Sequence, residues 1–266
     1  MSAPSRGRHV IANGVRLHYL EFPNDRPPLV LIPGITSPAV TWGFVGARLA
    51  ADSHVYILDN RGRGLSQGGA DLGYRLDDYA ADTRDFIKTL GLRQPTIAGH
   101  SMGGRVAIRL AARFPDVCGK LVLIDPPVTG PGRKPYPLPL NWYLDTIESV
   151  SNGHGWDEMK KVLPWSEEQL DLRMQWLPTC DRTAIAESYK SFLEENIHDD
   201  LPSVRSKTLL IYAQNGGTIS DDDANEVMRL LRDGRKQRID NAGHMIPWDQ
   251  LDAFAACVHG FLQSRG

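Results

Sequence analysis

The chain has 266 residues, 41% hydrophobic and 23% charged, a globular composition long enough to bury a large core. Its 30 Lys and Arg against 32 Asp and Glu give a formal net charge of -2 with no basic block, which argues against nucleic acid as a partner. The N-terminal MSAPSRGRHVIANG has no apolar core or cleavage pattern, and no apolar run nears the roughly 18 residues of a membrane span. Cys118, Cys180 and Cys257 form no metal or disulfide pattern, so no metal, no membrane and a cytoplasmic location are expected.

In chain order, HVIANGVRLHYLEF alternates around Asn13-Gly14, a strong hairpin signal. PPLVLIPG (27–34) is a nearly continuous apolar run and predicts a buried strand, with a helix following near 40–51. HVYILD (54–59) predicts a second buried strand, and NRGRGLS a loop after it. Leu76, Tyr79, Ala80, Thr83, Phe86, Ile87 and Leu90 recur at helical spacing. PTIAG (95–99) predicts a strand, GGRVAIRLAARF (103–114) a helix ended by Pro115, and KLVLID (120–125) a strand stopped by Pro126-Pro127. Alternating strands and helices imply a mostly parallel sheet with crossover helices, an α/β class.

From about 128 to 202 no convincing strand is present. PLNWYLDTIESV, SEEQLDLRMQWL and DRTAIAESYKSFLEENI read as helices, the second opening on a capping-box pattern. The strand–helix rhythm resumes with KTLLIYA (207–213), a helix over about 221–233, QRID (237–240) and a last helix over about 247–263. This organisation predicts a core of residues 1–127 and 203–266, with 128–202 inserted as a helical lid over the carboxyl ends of the strands.

Gly99-His100-Ser101-Met102-Gly103 is a G-x-S-x-G motif with a strand before it and a helix after it. Its glycines allow a cramped turn that lifts the Ser101 hydroxyl above the sheet. Serine is a poor nucleophile unaided and needs a base, which in turn needs an orienting acid. His244, in Asn241-Ala242-Gly243-His244, follows the last predicted strand at the same sheet edge. His9, His18 and His54 lie near strand starts or in the hairpin, His154 and His198 in the helical insertion, and His259 on the last helix. His100, inside the motif, is read as packing. After the 207–213 strand, where an acid is expected, stands glycine, about Gly216. Asp221, Asp222 and Asp223 beyond it look like a helix N-terminus. Asp125 ends the preceding strand directly and is preferred, and the order Ser101, Asp125, His244 is the α/β-hydrolase order. The backbone N–H groups of Met102 and of Ile35, in the loop after the first central strand, are the candidate oxyanion donors. Asp59-Asn60-Arg61-Gly62-Arg63-Gly64 lacks the Walker lysine and the dinucleotide-loop spacing, and is read as a structural tie under the site.

LIPGITSP, DNRGRGLS, GHSMGG and DNAGH together resemble the α/β-hydrolase fold with a helical cap, over essentially the whole chain. PGITSPAVTWGFV, LIDPPVTGPGR, WLPTC and NAGHMIPWDQLDAF reach into the cap and acid loop and are similar to the N-formylmaleamate deformylase family of bacterial nicotinate degradation. Haloalkane dehalogenases and soluble epoxide hydrolases share the fold but use an aspartate nucleophile, and Ser101 argues against both. The resemblance implies a Ser101–His244–Asp125 triad, an oxyanion hole from Ile35 and Met102, a formyl-enzyme on Ser101, a small anionic amide substrate and no cofactor. Thr36, Arg105, Trp142 and Trp176 are candidate substrate contacts, with a salt bridge under the helix as the alternative for Arg105 and ordinary helix packing as the alternative for the two tryptophans. Another serine hydrolase (carboxylesterase, lactonase or carbon–carbon hydrolase) and a small-molecule receptor on this fold are the competing readings.

Overall fold

Arg6–Ala12 (β1) and Val15–Phe22 (β2) pair antiparallel across Asn13-Gly14 in the computed structural model, which describes residues 5–264. Both turn residues have positive φ, 50° and 74°, which matches the twist of the flanking strands. The other strands are Pro28–Ile32 (β3), His54–Leu58 (β4), Thr96–His100 (β5), Leu121–Ile124 (β6), Thr208–Ala213 (β7) and Gly234–Ile239 (β8). They form one sheet in the order β1-β2-β4-β3-β5-β6-β7-β8, parallel from β4 through β8. β3 has β4 on one side and β5 on the other, so the chain reverses its direction of travel there. The loops after β3 and β5 therefore emerge side by side, the place where open α/β sheets bind ligands.

The central strands are apolar throughout because both faces are covered. Val30 and Ile32 enter one core cluster, with Leu76 and Phe86 of Leu76–Thr89 (α2) and Val106 of Met102–Arg113 (α3). Leu29 and Leu31 enter the other, with Val45 of Gly43–Leu49 (α1) and Phe254 of the C-terminal helix. Between β6 and β7 the chain forms Leu140–Ser151 (α4), Trp156–Val162 (α5), Glu167–Trp176 (α6) and Arg182–Glu194 (α7), with no strand. Tyr143, Leu170, Ile185 and Phe192 of these helices join the first cluster, so the inserted helices share the core of the sheet. The capping box of α6 forms as its sequence suggests: Gln169 N–H donates to Ser166 Oγ (3.2 Å), and Ser166 N–H to Gln169 Oε1 (3.0 Å).

Three details depart from the sequence reading. α5 is an additional short helix. β8 begins at Gly234 rather than Gln237, its leading residues being exposed at the sheet edge. After Asp221–Leu230 (α8), the last helix is two pieces, Ile246–Asp249 (α9) and Leu251–Gln263 (α10), broken at Gln250 (φ -141°, ψ 62°).

Arg105 is a structural tie and not a substrate contact, which corrects the expectation for it. It is 0% exposed and donates to the carbonyls of Pro127 (2.8 Å), Thr129 (3.0 Å), Ser191 (3.1 Å) and Glu195 (2.6 Å). The first pair lies where the chain leaves β6, the second where α7 ends, so one guanidinium pins the outgoing and the returning ends of the insertion. It also fills the carbonyl-rich C-terminus of α7, where a cation is favoured. Burial lowers its pKa to about 10, which leaves it charged at neutral pH. Replacing Arg105 with Met strands the carbonyls of Pro127, Thr129 and Glu195. We expect a loss of about 3 kcal/mol in unfolding free energy, measured by denaturant titration.

Candidate active site

Ser101 sits at the junction of β5 and α3 with φ 53° and ψ -119°, a conformation that L-residues adopt rarely and at a cost of about 1–3 kcal/mol. Hydrogen bonds on both sides hold it there. Ser101 N–H donates to Ile124 O (2.9 Å), and Ser101 O accepts from Gly104 N–H (2.9 Å) and Arg105 N–H (3.3 Å). The corner is possible because the flanking glycines have no side chain. A Cβ on Gly103 would stand 2.0 Å from Ile32 O, and one on Gly99 would stand 2.2 Å from Gly103 O. Without them α3 begins in direct contact with the end of β3.

Asp125 extends β6 by one residue, again at positive φ (46°), and is 0% exposed. Its Oδ2 lies 2.6 Å from His244 Nδ1 and accepts from Thr218 N–H (2.7 Å) and Thr218 Oγ1 (3.2 Å). Gly217, in the loop after β7, makes room for this carboxylate: a Cβ there would stand 2.7 Å from Asp125 Oδ1. The glycines where an acid was first sought thus accommodate an acid arriving from the neighbouring strand. Asp221 and Asp223 lie elsewhere. Asp221 accepts from Tyr212 OH (2.7 Å), and Asp223 caps α8 through Ser220 and pairs with Lys134.

His244 commits Nδ1 to Asp125, which leaves Nε2 as the nitrogen able to take a proton. Gly243 N–H donates to Asp249 Oδ2 (2.8 Å) and fixes the loop that carries it. His100 does more than pack: its Nε2–H donates to His244 O (2.9 Å) and its ring centroid lies 4.8 Å from that of His244. Burial and the neighbouring His244 hold the His100 pKa well below 6.5, so this ring is neutral.

Ser101 and His244 line one cavity of about 240 Å³, with Ile35, Thr36, Trp142, Tyr143, Trp165 and Arg173 among its walls. Thr36 and Trp142 thus reach the cavity. Trp176 does not line it, which corrects the expectation; this residue closes α6, and its carbonyl accepts from Thr179 Oγ1 (2.6 Å). Among the described residues, neither Ile35 N–H nor Met102 N–H has a protein acceptor. Both are held by Arg63, which is 0% exposed, donates to Ile35 O (2.9 Å) and touches Met102 Sδ (3.9 Å). Its other bonds run to Arg61 O (2.9 Å), Tyr79 OH (2.6 Å), Ala184 O (3.5 Å) and Ser188 Oγ of α7 (2.9 Å). Asp59 braces the same loop by accepting from Ala39 N–H (2.5 Å). Tyr143, Trp165 and Arg173 carried no signal in the sequence, since each lies on or beside an ordinary helix and only packing turns it to the cavity. Among the described residues no group of three or more His, Cys, Asp or Glu is placed to hold a metal ion.

The neutral, buried His100 has a consequence for acid stability. Its folded pKa is depressed, so below pH 6.5 the unfolded chain binds a proton that the folded chain refuses. Folding is therefore strongest above that pH and weakens as pH falls, by up to about 1.4 kcal/mol per pH unit for this group. Denaturant titrations at pH 7 and pH 5 are expected to show a shallower acid loss in His100→Gln than in the wild type.

The alpha/beta hydrolase family matches residues 29–257. N-formylmaleamate deformylase from Pseudomonas putida is 48% identical over 263 residues, covering 98% of each chain. The crystal structure of a serine-to-alanine variant of the N-formylmaleamic acid deformylase Nfo from Pseudomonas putida S16 superposes with a TM-score of 0.90 at 43% identity, covering 96% of this chain and 100% of that one. An esterase from Exiguobacterium antarcticum, at 19% identity and a TM-score of 0.83 over 97% of this chain and 100% of that one, shares the fold. The parallel sheet, the serine on its strained corner and the match over most of the length agree: this chain belongs to the alpha/beta hydrolase family.

Proposed function

We propose that this protein is a serine hydrolase that cleaves the formyl C–N bond of N-formylmaleamate, giving maleamate and formate. The observation that carries the substrate assignment is the 48% identity to the Pseudomonas putida deformylase over 98% of both chains, inserted helices included. The chemistry rests on the strained Ser101 and on the His244–Asp125 pair at 2.6 Å.

In this reading Ser101 Oγ attacks the formyl carbon while His244 Nε2 takes the hydroxyl proton. The oxyanion is received by the Ile35 and Met102 N–H groups, donors fixed in advance by Arg63 and by the start of α3. The intermediate collapses as His244 returns the proton to the departing nitrogen. That nitrogen is an amide nitrogen of maleamate, a better leaving group than an amine. Water, deprotonated by His244, then attacks the formyl-serine and releases formate. Asp125 holds the Nδ1–H tautomer and balances the imidazolium. The inserted helices act as a cap that closes the cavity over the strand ends. The substrate is a small anionic amide, and the three free cysteines suit a reducing cytoplasm.

Formate release from N-formylmaleamate is expected over many turnovers with the wild type. The Ser101→Ala variant should fall by about 10⁴-fold or more. Asp125→Asn should keep the fold and lose on the order of 10⁴-fold in kcat through the wrong histidine tautomer. A wild type that releases no formate yet hydrolyses p-nitrophenyl acetate would overturn the substrate and leave the serine machinery standing.

A further inference from the structure

Among the described residues, the buried arginines Arg61, Arg63, Arg105 and Arg109 all bond oxygens of the fold, and the half-buried Arg173 does not. Arg61 bonds both oxygens of Asp82 (2.6 and 2.5 Å), Arg109 bonds Asp200 (2.7 Å) and Asp77 (2.8 Å), Arg63 is bonded by carbonyl and hydroxyl oxygens, and both terminal nitrogens of Arg105 are bonded by carbonyls. Arg173, in the last turn of α6, has no hydrogen-bond or ion-pair partner among the described residues. It lines the same cavity as Ser101 and His244.

Among the described residues no carboxylate pairs with its charge. No Asp or Glu lines the cavity. Tyr143 and Cys180 are the groups whose charges would favour the cation, but burial pushes both pKa values up to about 12, so both are neutral. Tyr143 OH is moreover engaged with Tyr136 OH (2.8 Å). Asp145 and Glu158 line a neighbouring outer pocket that shares Arg173 with the cavity, yet neither pairs with it. The C-terminus of α6 favours a cation in general but supplies no acceptor for the guanidinium here. A guanidinium remains charged even when partly desolvated, so the cavity carries one uncompensated positive charge on its cap side, opposite the strand ends.

We propose that Arg173 is the anion-recognition residue of this cavity and binds the substrate's carboxylate, at the end of the molecule away from the bond that Ser101 attacks. The inference rests on the serine-hydrolase reading above and adds the residue that selects acids over neutral amides and esters. The planar fork of a guanidinium matches a carboxylate in two parallel hydrogen bonds. Because the carboxylate takes no part in bond making, the contact is made alike in ground and transition states. Its loss therefore falls on KM more than on kcat.

Arg173→Met and Arg173→Lys are to be assayed on N-formylmaleamate and on p-nitrophenyl acetate, which is neutral. Arg173→Met is expected to lower kcat/KM for the anion on the order of 100-fold, mostly through KM, with a far smaller change for the ester. Arg173→Lys, which keeps the charge, should recover part of the loss and covers the case of a Met variant that does not fold. Equal loss on both substrates, or an unchanged KM for the anion, overturns the proposal and leaves the deformylase reading intact. A wild type inactive on N-formylmaleamate overturns that reading instead. Maleamate, maleate and succinate then decide the role of Arg173 as competitive inhibitors of ester hydrolysis. Inhibition that Arg173→Met abolishes supports it; inhibition that persists in the variant, or is absent from the wild type, overturns it.

Discussion

A single buried guanidinium, that of Arg63, sets the frame in which the candidate site can exist. It bonds the carbonyl of Ile35, the hydroxyl of Tyr79 on α2 and the hydroxyl of Ser188 on α7, and it rests against Met102. A charge at 0% exposure is tolerable only if its donors are satisfied, and here the acceptors come from the β3 loop, the core and the inserted helices together. Displacing any one of these elements would strand a buried charge. The backbone N–H groups of Ile35, which lines the cavity, and of Met102, which follows Ser101, are fixed relative to each other by this constraint, so an oxyanion would meet dipoles already in place.

Around that frame the site uses backbone conformations that cost energy. Ser101 and Asp125 both have positive φ without being glycine, at the ends of adjacent parallel strands. Each is held by a hydrogen bond to the next strand in the sheet: Ser101 N–H to Ile124 O, and Asp125 N–H to Ile211 O. The sheet ladder thus supplies the restraint against which the two corners are strained. It also explains how an acid on β6 reaches a histidine after β8: the loop after β7 passes between them and contributes Gly217 and Thr218 rather than a carboxylate.

The layout was legible in the sequence where local chemistry decides structure. Strands buried on both faces read as apolar runs, the Asn13-Gly14 turn announced its hairpin, and the Ser166–Gln169 box announced the start of α6. The glycines around Ser101 and Gly243 before His244 drew attention to those residues because a cramped or exposed corner leaves a local mark. Where tertiary packing decides, the sequence was silent or misleading. The exposed Arg235–Arg238 stretch of β8 has no apolar run because it lies at an edge, so the strand seemed to start late. Arg105, one helical turn from Ser101, was open to two readings, a ligand contact or a tie under the helix; only the packing shows that it grips the roots of the insertion. Arg173 sits in the polar-looking SEEQLDLRMQW, and only the docking of α6 turns it to the cavity.

The position of Asp125 couples the sheet to the helices that follow β6. The acid stands two residues from Pro127, whose carbonyl, with that of Thr129, Arg105 grips at the root of the insertion. Were the carboxylate beside His244 carried by the loop after β7, the helices between β6 and β7 would be exchangeable without touching it. Here a crossover in that stretch lands on the carboxylate that His244 meets. The sheet and the helices between β6 and β7 are therefore not independent modules: transplanted helices have to bring their first residues into register with Asp125 and Arg105, or His244 loses its carboxylate partner.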